Sequence, residues 1–519
     1  MNEHTMEMFE GMVFSEKPEE SENGKQEQLQ PRLKEINRNQ LLIRPVDVEK
    51  LVEEDHPVRA IWEFVGRMDL TEYYKQIGSF EGEAGRSAID PRLLISLWVY
   101  AYSDGVSSGR EVSRLCEYHP GYQWLTGMEP INHHTLSDFR VGHKELLDQL
   151  FGQALGILSS EGLITLERVM HDGTKVKACA GVDTFRGEQS LEAHLEMARK
   201  QVEEMGDPRE ENLSARVRRA RQRAVREKKE RLEMALEQLN KVREGKSRKA
   251  DKEKARVSQT DPEARIMKQS DGGYAPSYNV QISTDAKEGI IVSAGVTQSA
   301  NDQGQLDPAL EQIEENFGRI PEQVVVDAGY VNRETIINMK EKGVDFIGNL
   351  KEENYQAENL FKRRGVQEGF FPEDFCYDSP DNSYTCPAGK ILRFSTTIES
   401  NGGLLRHIYK ASTNDCNSCP LKQKCCPQSL SGRCISRSEE PAAVTEFLSK
   451  MQTLEAKAIY KQRGHIAEFP NSWIKQKIGL RQFRVRGLTK VAMEAVWACL
   501  TYNIQQWLRL KWKPCLAAA

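Results

Sequence analysis

The sequence VVVDAGYVN at residues 324–332 is the clearest local indication of how this chain folds. Three β-branched apolar residues lead into Asp327, and Ala328 and Gly329 follow directly, which predicts a buried strand that ends in a tight turn. Asp327 is therefore expected at the carboxyl end of a strand, the edge at which open α/β sheets gather ligands and catalytic groups. Two interpretations remain open: a catalytic carboxylate, and an Asp that caps the next helix.

The length of 519 residues indicates about three domains. The composition indicates a soluble chain, because 29% of the residues are charged and the mean hydropathy is -0.61. The longest apolar run, LLISLWVYAY at 93–102, is too short to span a bilayer and predicts a buried helix. The acidic start MNEHTMEMFE lacks the basic and then apolar pattern of an export signal. We therefore expect a cytoplasmic protein with no membrane partner.

The first part of the chain predicts a tail and a helical domain. Residues 1–38 are polar and aperiodic, which predicts a disordered tail. Residues 39–160 carry apolar side chains at helical spacing, which predicts an all-helical domain.

Within this domain, two sequences resemble capping boxes, Ser108-x-x-Glu111 and Thr135-x-x-Asp138. With a turn at Tyr122–Met128 between them, they could form a DNA-binding helix-turn-helix in which Arg140 faces DNA. The other interpretation, an ordinary helical bundle, is the one that the sequence alone favours.

Residues 161–351 predict a mixed α/β sheet. A strand near 169–176 contains Asp172, and two further strands are joined by a turn at Asp285–Gly289. A helix over Gln305–Phe317 precedes the strand before Asp327, and a helix over Arg333–Lys342 precedes a last strand, VDFIGNL. This order of strands is the one expected of a ribonuclease H-like core.

Residues 188–257 interrupt that sheet with a strongly charged segment. It predicts a long helical hairpin broken near Gly206–Pro208, with Leu232, Leu236 and Leu239 along one face. Its charges are explained by a solvated surface or by contact with DNA, and both explanations remain open.

Residues 352–440 are less regular and rich in cysteine. Eleven cysteines in a cytoplasmic chain argue against a disulfide framework. Thiolates two residues apart can bind the same tetrahedral zinc, which makes this segment a candidate structural zinc site. The candidate ligands are Cys386, Cys416, Cys419 and Cys425, with Cys426 as the alternative to Cys425. Free buried thiols are the other interpretation.

Residues 441–513 predict a helical end to the core. Glu468 and Lys475 are seven residues apart and share a face if the helix is continuous, whereas Pro470 predicts a kink or a new helix there. The net charge of the chain is -5, but residues 455–513 carry twelve Lys or Arg against three Glu. Local clustering of this kind favours a nucleic-acid partner. An amphipathic helix follows at VAMEAVWACLTYNIQQWLRL and is expected to pack on the sheet.

Three carboxylates are thus predicted on two strands and a helix: Asp172, Asp327 and Glu468. Oxygen ligands of this kind suit Mg²⁺ or Mn²⁺ if folding brings them together. A pair of such ions can activate an attacking oxygen and stabilise a leaving one.

The chain resembles bacterial insertion-sequence transposases of the DDE type. The sequence from LISLWVYAY to HTLSDFR, at 94–140, resembles their amino-terminal helical domain, and HDGTKVKA and VVVDAGY resemble their two aspartate motifs. The tyrosine-arginine-glutamate-lysine signature is represented by Tyr460, Arg463, Glu468 and Lys475. The gap between the arginine and the glutamate is four residues where the signature has three. Glu455 and Glu494 are therefore the alternative carboxylates.

The resemblance implies that the chain binds terminal inverted repeats and catalyses metal-dependent cleavage and transfer of DNA strands. It implies that Asp172, Asp327 and Glu468 hold the divalent ions, and that Tyr460, Arg463 and Lys475 hold DNA phosphates. It also implies a homodimer acting on double-stranded element ends and target DNA. The alternatives are a metal-dependent nuclease without strand transfer and a catalytically silent DNA-binding protein.

Overall fold

The computed structural model describes residues 38–518, except 42, 44, 81–86, 205–214, 351–359 and 401–402. The predicted disordered tail, apart from Arg38, lies outside the described residues, and so does the predicted break at Gly206–Pro208. The chain divides into two units, Met1–Val46 and Asp47–Ala519. The helices and strands of the described residues belong to the second unit.

The amino-terminal part of this unit is helical, as predicted. Its helices are α1 (Pro57–Gly66), α2 (Thr71–Lys75), α3 (Pro91–Ser103), α4 (Gly109–Tyr118), α5 (Pro120–Thr126), α6 (His133–Gly142) and α7 (Lys144–Ser160). Helix α3 begins at a proline behind Asp90, whose carboxylate accepts a hydrogen bond from the Arg92 N–H. Because α3 is buried along almost its whole length, the run at 93–102 forms part of the core.

The structure departs from the helix-turn-helix interpretation in three respects. Ser108 does precede α4, but its side chain makes no capping hydrogen bond. Helix α6 begins behind Asn132, whose side chain accepts from the His134 N–H, so Thr135 lies inside the helix. The predicted turn at Tyr122–Met128 is instead largely helix α5.

The prediction that Arg140 faces DNA is also wrong, because its side chain is buried. Its guanidinium donates to the Ser107 carbonyl at 2.6 Å, lies 3.7 Å from Glu494 Oε1 and lies over the Trp98 ring at 4.8 Å. Glu494 is itself fully buried and accepts from the backbone N–H of Arg484. Both side chains are therefore part of the core, which excludes Glu494 as a site carboxylate.

The central sheet has six strands in the order β4-β5-β1-β7-β8, with β6 also paired to β5. These strands are β1 (Arg168–Lys177), β4 (Arg265–Lys268), β5 (Tyr274–Asp285), β6 (Ile291–Thr297), β7 (Gln323–Val326) and β8 (Asp345–Ile347). Strands β4 and β6 pair with β5 antiparallel, β5 pairs with β1 antiparallel, and β7 and β8 run parallel to β1. The predicted mixed α/β sheet is thus confirmed.

Two helices connect the later strands at the predicted positions. They are α11 (Leu306–Phe317), between β6 and β7, and α12 (Arg333–Glu341), between β7 and β8. Valines 324–326 of β7 are fully buried, which is why this run contains no polar residue.

The charged insertion is a helical hairpin attached to the sheet unit. It contains α8 (Glu188–Glu204), α9 (Ala215–Glu244), α10 (Lys249–Glu253) and a short ribbon of β2 (Phe185–Arg186) with β3 (Val257–Ser258). Leu232 and Leu239 are buried against Leu191 and Leu195, and Leu236 packs against the same cluster. The predicted leucine face therefore holds the hairpin together.

The cysteine-rich segment is more regular than its sequence indicated, because it contains a five-stranded antiparallel sheet in the order β13-β12-β11-β10-β9. The strands are β9 (Cys376–Asp378), β10 (Ser383–Thr385), β11 (Ile391–Ser400), β12 (Leu404–Ala411) and β13 (Cys434–Glu439). Two short helices lie between β12 and β13, α13 (Thr413–Asn417) and α14 (Lys422–Cys425).

The carboxyl-terminal helices complete the core. They are α15 (Ala442–Met451), α16 (Leu454–Ile466), α17 (Glu468–Gln476), α18 (Leu488–Trp507), a π-helical segment (Leu508–Trp512) and α19 (Lys513–Ala518).

The sequence predicted an amphipathic helix at α18. The helix is instead buried on all sides from Met493 to Ile504. It packs on β6 of the sheet and on α3 and α7 of the amino-terminal helices, so one hydrophobic core runs from Val52 to Trp512. Across the described part of the chain, none of the helices combines the length and the apolar character needed to span a bilayer.

Candidate active site

Two predicted carboxylates lie side by side at one edge of the central sheet. The parallel pairing of β1 with β7 ends at His171 opposite Val326. The next residue along the chain is Asp172, still within β1, and Asp327, directly after β7. Parallel register therefore brings the two aspartates together although 155 positions separate them in sequence.

The third carboxylate reaches them from a helix. Pro470 cannot donate a backbone hydrogen bond to the carbonyl of Ile466, and α16 ends at Ile466. The next helix, α17, begins at Glu468, with Ala467 as the only residue between the two helices. The sequence predicted a kink or a helix start after the carboxylate, and the new helix starts at the carboxylate itself.

The guanidinium of Arg463 lies between all three carboxylates. Its nitrogens are 3.9 Å from Asp172 Oδ1, 3.5 Å from Asp327 Oδ1 and 3.6 Å from Glu468 Oε1. The Arg463 side chain is 18% exposed, whereas those of Asp327 and Glu468 are 47% and 58% exposed. The site is therefore open towards solvent at two carboxylates and more enclosed at Asp172, whose side chain is 19% exposed.

Burial governs the electrostatics of Asp172. It raises the pKa of this carboxyl to about 6, and the charges of Asp327 and Glu468 act in the same direction. The Arg463 guanidinium and the Gly173 N–H, which donates at 2.9 Å, oppose that shift but do not cancel it. A buried carboxylate with like charges beside it is a site that favours added positive charge.

The other two residues matched to the signature, Tyr460 and Lys475, lie near this centre. The Tyr460 hydroxyl donates to Asp327 Oδ1 at 3.5 Å, and burial raises its pKa. Burial lowers the pKa of Lys475, against the opposing effect of Asp172. The alternative carboxylate Glu455 is exposed in the first turn of α16, whereas Arg463 makes ion pairs with the other three acids.

Sequence reasoning missed Asn471, which lies one helical turn after Glu468. Its Nδ2 donates to Asp172 Oδ2 and to the Ala467 carbonyl, each at 3.2 Å. Its buried Oδ1 has no hydrogen-bond partner among the described residues. The three-residue spacing from Glu468 on a helix is the signal that could have found it.

A second missed group lies next to Gly173, the residue after Asp172. Asp302 accepts hydrogen bonds from Lys175 at 3.0 Å, Asn279 at 2.7 Å and Gln281 at 3.2 Å. Burial acts to raise the pKa of Asp302, but these bonds outweigh it and lower the pKa. A Cβ at position 173 would lie 2.5 Å from Gln281 Nε2 and 2.8 Å from Asp302 Oδ1. Gly173 therefore allows this network to pack directly against the strand.

The donor set suits a hard divalent ion in its chemistry. It offers three carboxylates and the unpartnered amide oxygen of Asn471 around one positive group. As the side chains stand, no group of three or more His, Cys, Asp or Glu in the described residues is arranged to hold a metal ion. The guanidinium of Arg463 instead provides the positive charge between the acids.

The predicted zinc ligands do not belong to this centre. Cys386, Cys416, Cys419, Cys425 and Cys426 line a separate cavity in the cysteine-rich sheet module, and all are free thiols.

Two family models match the chain. The model described as a transposase DDE domain matches residues 385–508, which include Glu468 and its helices. The model described as a transposase domain (DUF772) matches residues 46–142, the amino-terminal helices. No curated protein and no solved structure matches the chain. The two matches, one at each end of a unit with converging acids, support a DDE-type transposase.

Proposed function

We propose that this protein is the transposase of a bacterial insertion sequence. It binds the terminal inverted repeats of its element and catalyses metal-dependent DNA strand cleavage and strand transfer in the cytoplasm. The observation that carries the proposal is the meeting of Asp172, Asp327 and Glu468 around the Arg463 guanidinium. Acids from two strands and a helix, remote in sequence, have no structural need to meet at a partly exposed edge.

The topology supports a ribonuclease H-like core as the scaffold. Strand β6 pairs with β5, and β5 pairs with β1, both in the antiparallel direction. Strands β7 and β8 then extend the sheet parallel to β1. Without β4, which pairs with the beginning of β5, the order is β6-β5-β1-β7-β8, with the acids on β1 and directly after β7. The order of these elements along the chain, three strands and then strand, helix and strand, is the one expected from the sequence for that core.

Asp172, Asp327 and Glu468 are the residues that would hold Mg²⁺ or Mn²⁺, and Asn471 lies beside them as a further oxygen donor. Bound there, such an ion would activate the attacking oxygen and neutralise charge on the leaving one. The exposed Asp327 and Glu468 keep the edge accessible to a DNA backbone, while the buried Asp172 fixes the depth of the site.

Three residues of the signature are proposed to hold backbone phosphates next to the scissile bond. Arg463 presents a planar guanidinium at the centre, and Tyr460 and Lys475 lie beside it on α16 and α17. Because terminal repeats come in pairs, the working form is proposed to be a homodimer bound to two element ends.

The test is incubation of the purified full chain with duplex DNA of its own element ends and Mg²⁺. Products joined to target DNA support the transposase, cut ends alone indicate a nuclease, and a shifted band without either indicates a silent DNA-binding protein.

Asp327→Asn supplies the matched variant, and Asp345→Asn supplies its control. Asp345 lies on β8 of the same sheet, away from the three acids, where it pairs with Lys450. We expect Asp327→Asn to keep end binding and to lose cutting, while Asp345→Asn keeps both. Cutting by Asp327→Asn at the wild-type rate would overturn the proposed role of this carboxylate.

A further inference from the structure

Five of the eleven cysteines line one small cavity in the cysteine-rich sheet module. They are Cys386, Cys416, Cys419, Cys425 and Cys426. The cavity has a volume of about 20 Å³, and a site needs roughly 10–15 Å³ to hold one water. The space therefore suits a single small body with five cysteines among its neighbours.

The first part of the cavity is a tight turn between β10 and β11. Within it, the Lys390 N–H donates to Cys386 Sγ at 3.3 Å, and the Gly389 N–H donates to the Cys386 carbonyl at 2.8 Å. Gly389 has a φ of +73°, a conformation that favours glycine. A backbone N–H directed at a sulfur stabilises the thiolate form, which is the form that binds metal.

The second part repeats this arrangement from the other side. The Arg433 N–H donates to Cys416 Sγ at 3.3 Å. The preceding Gly432 has a φ of +90°, and a Cβ there would lie 3.4 Å from the same sulfur. Cys419 follows one helical turn after Cys416, its N–H donating to the Cys416 carbonyl at 3.3 Å. Two separate turns thus each direct an N–H at the sulfur of a cysteine that lines the cavity.

A buried positive charge completes the surroundings. The Arg433 side chain donates to the carbonyls of Cys425 at 3.2 Å and Phe370 at 2.8 Å, and it lies over the Phe375 ring at 5.4 Å. Four thiolates around one Zn²⁺ carry a net charge of about -2. A guanidinium fixed beside the sulfurs offsets part of that charge.

Among its described residues, the module has a small buried apolar cluster of its own, which contains Phe375, Leu392, Tyr409, Ala411 and Ile435. Small units with a small core commonly depend on disulfides or a metal, and all five thiols here are free. A metal is therefore the cross-link that this composition offers.

We propose that this cavity is a structural zinc site. Its ligands are Cys386, Cys416, Cys419 and one sulfur of the Cys425-Cys426 pair, and it fixes the β10–β11 turn to helices α13 and α14. The described side chains form no group already at coordinating distance, so binding draws the sulfurs towards the cavity. The site is structural because four protein ligands leave no open position for a substrate.

The test measures zinc in the purified full chain and in Cys416→Ser/Cys419→Ser. We expect about one zinc per wild-type chain and a loss of at least about nine-tenths of it in the variant. Cys434→Ser is the matched control, because Cys434 is exposed on β13 of the same module and does not line the cavity. Wild-type protein with no more zinc than the double variant overturns the proposal.

Cobalt substitution keeps the proposal testable if the double variant fails to fold. Wild-type chain stripped of metal and reloaded with Co²⁺ should show intense thiolate-to-cobalt absorption, which carboxylate sites do not produce. Absence of that band overturns the proposal. Both measurements are made without DNA, so their outcome is independent of the transposase activity.

Discussion

Arg463 balances the charge of three acids, and a divalent ion must compete with it for them. We expect Arg463→Gln to tighten binding of Mn²⁺ in the absence of DNA by roughly threefold to tenfold, since it removes partly buried ion pairs. Calorimetry or electron paramagnetic resonance of the Mn²⁺ titration measures this without any turnover.

Lys475→Gln is the control for a general charge effect. It also removes one positive charge near Asp172, but it breaks none of the three ion pairs of Arg463. Equal tightening in both variants would mean that long-range charge, and not the position of the guanidinium, explains the result.

The ionised Asp172 carboxylate should lower the free energy of unfolding at neutral pH. Folding raises the pKa of this group from 3.8 to about 6. The protonated carboxyl is therefore accommodated without loss below about pH 4, and stability is lost as the pH rises through about 6 and the group ionises. In EDTA, the free energy of unfolding of Asp172→Asn should therefore exceed that of the wild type increasingly between those values, by at most about 3 kcal/mol at pH 7. Urea unfolding across this range measures the difference.

Asp345→Asn should change stability with the opposite sign. Burial acts to raise the pKa of Asp345, but hydrogen bonds from Lys450 and Gln323 outweigh it and lower the pKa. Its contribution is therefore present at neutral pH and lost as the pH falls. A difference between Asp172→Asn and the wild type that does not change with pH would contradict the buried-charge explanation.

At the scale of elements, the Arg140 and Glu494 pair joins α6 to α18. Arg140→Met leaves a buried carboxylate without its cation, and we expect a loss of about 3–5 kcal/mol in the free energy of unfolding. Adding Glu494→Leu should recover part of that loss, because the unpaired charge is then removed.

The same variant tests the rejected DNA-facing position of Arg140. Since the side chain is buried, the salt dependence of DNA binding by folded Arg140→Met should match that of the wild type. A reduced salt dependence would restore a phosphate contact for this residue.

The elements that sequence could predict are those whose pattern is imposed locally. Residues 324–326 are apolar because β7 is fully buried, and a run of three β-branched residues by itself predicts a strand. Arg140 could not be assigned, because a charged residue in a helix has the same pattern whether it faces solvent or a buried partner such as Glu494. The module from β9 to β13 was missed because exposed residues such as Phe394 and Ile398 obscure the alternation of its strands.

At the scale of the whole molecule, α18 makes the amino-terminal helices and the sheet one cooperative unit. Trp497 is 1% exposed in that helix, and its indole N–H donates to the Arg140 carbonyl at 3.1 Å. We expect Trp497→Ala to lower the free energy of unfolding by about 3–5 kcal/mol. Hydrogen exchange should then increase by the same factor in α3 and in β7.

Leu239→Ala is the control, because Leu239 is buried in the separate cluster of the charged hairpin. Its effect on exchange should be confined to α8 and α9. Faster exchange in α3 without a change in β7 for Trp497→Ala would contradict a single core.

The convergence of the site belongs to this scale and explains the limits of prediction from sequence. The sequence predicted a strand end at Asp327, a strand containing Asp172 and a helix near Glu468. It could not predict Asn471 as a neighbour of Asp172 or Asp302 as a neighbour of Gly173, because their positions depend on how α17 and the loop after β6 pack across the sheet. Local patterns predict elements, whereas the packing of distant elements assembles the site.

Ala467, the single residue between α16 and α17, affects how the site can tolerate an insertion between Arg463 and Glu468. In an unbroken helix, one added residue turns everything after it by about 100°, which would carry Glu468 away from Arg463. Here the proline two positions later ends the first helix, and the second helix restarts with its acid still 3.6 Å from the guanidinium. An insertion between the arginine and the glutamate is thus compatible with an intact site when it falls at such a joint.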